Sequence, residues 1–204
     1  RGSLYSNNTG HRNTAVGRDA LFLNTGNDNT AIGHDSLKNN TGNSNTAVGE
    51  SSLEGNTSGI ANTALGVLSL AANTTGNYNV ALGNKALDAN TTGDNNTAVG
   101  YNAMTTNTTG SANAAIGRHV LQSLTTGSLN TGLGFNALMS CTTGLNNVAV
   151  GANALDANTT AQKNTAVGTG ALTENTTGDK NIAIGADCLD ANTTGADNTA
   201  VGSS

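Results

Sequence analysis

Proline and tryptophan are absent from this chain of 204 residues, and its aromatic side chains number five, three Tyr and two Phe. An ordinary globular core does not have this composition. Charge is scarce as well: 10% of residues are charged and the formal net charge is −5. Intrinsic disorder usually couples low hydrophobicity with high net charge, so the scarcity of charge argues for order. The eight Lys and Arg are scattered and form no basic stripe, so nucleic acid is not an expected partner. No apolar run is long enough to span a membrane, and no charged start followed by an apolar segment suggests a signal peptide. An export address, if there is one, is expected outside this segment. The two cysteines, Cys141 and Cys188, lie almost three repeats apart in different columns of the repeat described next. At about 4.8 Å per repeat they are separated by about 13 Å, beyond disulfide reach.

What the chain has in abundance is one phrase. NTAVG or a close variant begins at Asn13, Asn29, Asn45, Asn62, Asn79, Asn96, Asn113, Asn130, Asn147, Asn164, Asn181 and Asn198. The spacings are 16, 16 and then 17 nine times, so the repeats tile residues 1–204 as a single repeat domain without a linker. The fourth motif position is aliphatic in every repeat, from Val16 to Val201, and is expected to be buried. Four residues after each motif glycine comes a second apolar column, Leu in every repeat but that of Met104, expected to be buried too. Glycine, Asn and Thr are poor helix formers, and short strands between turns fit better. The expected fold is all-β: a parallel β-solenoid, or β-roll, of about twelve rungs of 16–17 residues, each with two short strands.

Two repeats shorten NTTG to NTG, at 24–26 and 40–42, while the step from motif glycine to Leu stays constant. Turns tolerate a lost residue and strands do not, so NTTG reads as a turn, its glycine expected at positive φ. Ala161 stands where that glycine would be in one repeat. The motif asparagines, one per rung, are expected to hydrogen-bond along the axis as a ladder.

Strand alternation puts the second and fourth motif residues on one face and the third on the other. The third is Ala everywhere except Gly132, and the second, usually Thr, becomes Val80, Ala114, Val148 and Ile182. A column that exchanges Thr for Val or Ile tolerates burial, so both faces of the strand are expected to be covered. Two large aliphatic side chains per rung make a thin core, and lateral association of chains is the natural further source of burial. The terminal rungs show no polar cap, which suggests a segment of a longer fibre.

The phrase NTAVGxxALxxNTTGxxNTAVG, present at 147–168 as NVAVGANALDANTTAQKNTAVG, resembles the head repeats of YadA-like trimeric autotransporter adhesins. It is also similar to repeats of bacteriophage tail fibres that often precede an intramolecular chaperone of the endosialidase type. The resemblance covers essentially the whole chain, although adhesin head repeats are usually shorter than these. It implies a left-handed roll, a homotrimer, an extracellular place at a cell surface or on a virion, and a surface presented to a glycan or protein receptor. Handedness and the number three come from the resemblance alone.

No catalytic, cofactor-binding or metal-binding residue emerges, and no enzyme activity is expected. Asp88, Asp156 and Asp190 share a column, but other residue types occupy the rungs between them, too wide for paired carboxylate chemistry. Asp19 and Asp35 occupy adjacent rungs and read as a solvated edge. His11, His34 and His119 fall in three columns and form no metal triad. The NTT triplets match a glycosylation acceptor pattern but are accounted for as turns. Recognition in a fibre would fall to variable loop residues such as Tyr5, Phe22, Tyr78, Tyr101 and Phe135. The alternative is an ice-binding solenoid using Thr files such as Thr91, Thr108, Thr125, Thr142 and Thr159 beside Thr92, Thr109, Thr126, Thr143 and Thr160. That reading requires the hydroxyls to form a flat exposed face.

Overall fold

Each motif forms one three-residue strand, and the strands stack in chain order. The computed structural model describes residues 2–203. Its strands are β1 (Thr14–Val16), β2 (Thr30–Ile32), β3 (Thr46–Val48), β4 (Thr63–Leu65), β5 (Val80–Leu82), β6 (Thr97–Val99), β7 (Ala114–Ile116), β8 (Thr131–Leu133), β9 (Val148–Val150), β10 (Thr165–Val167), β11 (Ile182–Ile184) and β12 (Thr199–Val201). They make a single parallel sheet in the order β1 to β12, with like motif positions in register. The fold is an all-β solenoid. The register runs unbroken through the two shortened repeats, Thr14 opposite Thr30 and Thr30 opposite Thr46, which places the lost residue in the turn as expected.

The expected second strand of each rung is absent among the described residues. Its place is taken by backbone in the left-handed region, which recurs in three non-glycine columns: the Leu column (Leu87, φ 53°), the residue two before it (Lys85, φ 57°) and the residue before the motif Asn (Tyr78, φ 57°). Left-handed leucine costs about 1–2 kcal/mol. Here the same geometry turns the Leu side chain fully into the core, as at Leu21, Leu87 and Leu155, and leaves its N–H bonded to the next rung, as in Leu87 N–H to Ala103 O at 3.0 Å.

One column was expected inside and is not. The fourth motif position faces outward: Leu65 is 49% exposed, Ile116 43% and Leu133 43%. Alternation puts the second and fourth motif residues together, as expected, but the face they share is the outer one. The inner face belongs to the third-position alanines, Ala31 to Ala183, which are fully buried against the Leu column. Opposite the Leu column and its one Met104, the lumen has room for a methyl group and little more.

The NTTG glycines also correct the expectation. They are not at positive φ, whereas the motif glycines are, at 128–140°. The turn glycine is required by close approach: a Cβ on Gly76 would sit 2.5 Å from the Gly93 carbonyl oxygen and from Asn73 Oδ1. Ala161 shows the consequence. The hydrogen bond that Asn158 Nδ2 donates to its carbonyl oxygen stretches to 3.5 Å, against 3.0 Å for Asn73 to Gly76.

Two asparagine ladders run through the interior. In the motif ladder each backbone N–H donates to the preceding Asn Oδ1, as in Asn79 N–H to Asn62 Oδ1 at 2.9 Å, and each Nδ2 donates to a turn carbonyl, as in Asn79 to Gly93 at 2.8 Å. The second ladder, from the turn asparagines, is direct: Asn73 Nδ2 to Asn56 Oδ1 at 2.8 Å, Asn90 to Asn73 at 3.0 Å, Asn107 to Asn90 at 2.9 Å. Leu124 and Cys141 interrupt it, and Asn107 Oδ1, facing the leucine rung, is buried with no donor.

The same region carries a compensated pair. Val120 stands in a column otherwise held by small residues, and Gly132 replaces the usual third-position Ala; a Cβ on Gly132 would collide with Val120 Cγ1. Gly132→Ala is therefore expected to cost about 1–3 kcal/mol by overpacking. In the background of Val120→Ala the same change should cost far less, leaving a coupling energy of about 1–3 kcal/mol in a double-mutant cycle read by urea unfolding. Additive costs would show that the two sites are not packed together.

Candidate association face and surface clusters

The outer face of the sheet is two columns wide. One is the second motif position, Thr with Val80, Ala114, Val148 and Ile182 interspersed, and the other is the aliphatic fourth position. Neither column contains a charged residue. Twelve strands at about 4.8 Å spacing make the aliphatic file about 53 Å long. Contiguous exposed apolar surface of this extent marks an interaction site in natural proteins.

Beside this face, one residue beyond each motif glycine, lies a variable column that includes Tyr101, Arg118 and Phe135 on consecutive rungs. The Arg118 guanidinium carbon lies 5.8 Å from the Tyr101 ring centre and 5.9 Å from that of Phe135. His119 meets Tyr101 edge to face at 5.6 Å. Tyr5 and Phe22 stack at 5.2 Å in a different column, and Tyr78 is exposed in a third. Of the five aromatic residues anticipated in the loops, the structure thus brings Tyr101 and Phe135 together around a cation and pairs Tyr5 with Phe22.

Among the described residues, the titratable groups singled out in the sequence lie in separate places. Asp35 forms an ion pair with Lys38 at 3.1 Å and lies 3.5 Å from His34 Nε2. Its neighbour in the column, Asp19, has a buried Oδ1 without a hydrogen-bond partner. Burial raises the carboxyl pKa of Asp88, opposed by Lys85, and that of Asp156, reinforced by Glu174. These two acids are four rungs apart, about 19 Å. Among the described residues no group of three or more His, Cys, Asp and Glu could hold a metal ion. Cys141 and Cys188 are buried and unpaired, and burial pushes the Cys141 thiol up to about 11. At neutral pH this thiol carries almost no thiolate.

The two Thr files differ. In the first, hydroxyls donate to the next rung's carbonyl, as in Thr91 to Thr108 O and Thr108 to Thr125 O, both at 3.0 Å, and the side chains are half-buried. In the second, Thr92, Thr109, Thr126, Thr143 and Thr160 are exposed. A single file is exposed here, not a flat pair. The NTT asparagines Asn73, Asn90, Asn107, Asn158 and Asn175 are wholly buried, so a folded chain offers no acceptor at these positions.

The turn-asparagine ladder is the feature the sequence reading passed over. Its signal was present, an Asn opening nearly every NTTG, but it was absorbed into the turn assignment. Among the described residues no helix is long and apolar enough to cross a membrane. Compared with protein-family models, curated proteins and solved structures, the chain matches none.

Proposed function

We propose that this chain is a non-enzymatic segment of an extracellular fibre, on a cell surface or a virion, in which copies associate side by side through the aliphatic face. The observation that carries this reading is the uncharged aliphatic file of β1 to β12, open to solvent in the single chain. Full burial of such side chains stabilises by about 1.5–3 kcal/mol each, so closing the exposed half of twelve is worth on the order of 10 kcal/mol per chain. That is comparable with the association cost of about 4–15 kcal/mol. Three copies is the number implied by the resemblance to adhesin heads and tail fibres. A rod with its apolar faces turned inward leaves the variable columns outside, where a glycan or protein receptor can be met.

Light scattering tests the reading directly. The expected result is a mass three times the 20.1 kDa of the chain. A monomer at micromolar concentration would overturn lateral association and direct attention to thermal hysteresis, which the exposed Thr file alone would then have to explain.

A further inference from the structure

We infer that Tyr101, Arg118 and Phe135 form a binding site for an acidic carbohydrate, with Arg118 engaging a sugar carboxylate and the two rings supporting the sugar faces. The guanidinium is exposed, lies within 6 Å of both ring centres, and has no carboxylate partner among the described residues, whereas Arg12 is paired with Asp28. In a chain of net charge −5, a cation kept free of its own carboxylates is available to an outside anion.

The platform is rigid before any ligand arrives. Backbone hydrogen bonds tie the three residues into the ladder, His119 N–H to Tyr101 O at 3.1 Å, Asn136 N–H to Arg118 O at 3.1 Å and Asn153 N–H to Phe135 O at 2.9 Å. Tyr and Phe have few side-chain torsions to freeze, which keeps the ordering cost low. Tyr101 and Phe135 are 48% and 46% exposed, two rungs and therefore about 9.6 Å apart. Two open ring surfaces flanking a fork of N–H donors suit a chain of flat-faced rings carrying a carboxylate. Nucleic acid would need further cations along its backbone, and the neighbouring positions Asn84 and Ala152 of the same column supply none. A peptide strand would need a free sheet edge, and β6, β7 and β8 are each paired on both sides.

The test is calorimetric titration of the full chain with a uronic-acid hexasaccharide, its carboxyl-reduced neutral counterpart and a poly-glutamate of similar charge. Saturable binding of the acidic sugar is expected, at least ten times tighter than either control and weaker at high salt. Arg118→Gln and Tyr101→Ala should each reduce affinity about tenfold or more, while Arg12→Gln should leave it unchanged. Equal binding of the neutral sugar or poly-glutamate, undiminished binding by Arg118→Gln, or no saturable binding would overturn the site. A change of solution mass in Arg118→Gln with no change in sugar binding would assign the cluster to contacts between copies. Failure here leaves the lateral-association reading intact, because that reading is decided by mass and not by sugar.

Discussion

Asn79→Ala should destabilise the solenoid by on the order of 3–5 kcal/mol, since two buried polar groups lose their partners at about 1–3 kcal/mol each and a cavity is left behind. Asn79 is fully buried. Its Nδ2 donates to Gly93 O at 2.8 Å and its Oδ1 accepts the Asn96 N–H at 2.9 Å. Alanine removes both. The control is Asn146→Ala, at an exposed left-handed position where Ala61 and Ala112 already stand at φ 54° and 57°. It should cost no more than about 1–2 kcal/mol, the left-handed strain that alanine tolerates less well than asparagine. Urea unfolding at one fixed protein concentration reads both. If Asn79→Ala matched the control, the asparagine ladder would be ornament to a fold held by leucine alone.

The contrast between these asparagines explains how much the sequence disclosed. Strict recurrence made the rung, the parallel stack, the turn position and the motif-Asn ladder legible, because a column that never varies has one environment. The Leu column was legible for the same reason. The valine column misled. An aliphatic residue in every rung reads as core, and alternation left two faces from which to choose. The deciding fact was steric: the Leu side chains enter from left-handed backbone and fill the lumen, so only alanine, or Gly132 beside Val120, fits opposite them. Left-handed leucine runs against ordinary backbone preference, and no propensity rule would have placed it. The aromatic cluster was half visible. Tyr101 and Phe135 were noted as loop residues, but their convergence on Arg118 depends on exact rung register, which the 17-residue period encodes and a loop assignment obscures.

Placing lysine at both Ile116 and Leu133 should split the assembly without unfolding the chain. The two residues stand opposite one another on β7 and β8, each 43% exposed, while the inward residues of those strands, Ala115 and Gly132, are untouched. In a lone rod the lysines reach water, and the circular dichroism spectrum should be unchanged. In an assembly closed through this face, each chain would bury two like charges side by side, at several kcal/mol per ion and with mutual repulsion added. Association should weaken by on the order of 1,000-fold or more, each factor of ten being 1.4 kcal/mol. Scattering mass should fall to that of one chain at concentrations where the parent chains associate. Ala115→Lys provides the opposite arm: a charge driven into the alanine file should abolish the folded spectrum. If the double lysine variant kept the parent mass, copies would be meeting elsewhere, and the aliphatic file would need another cover.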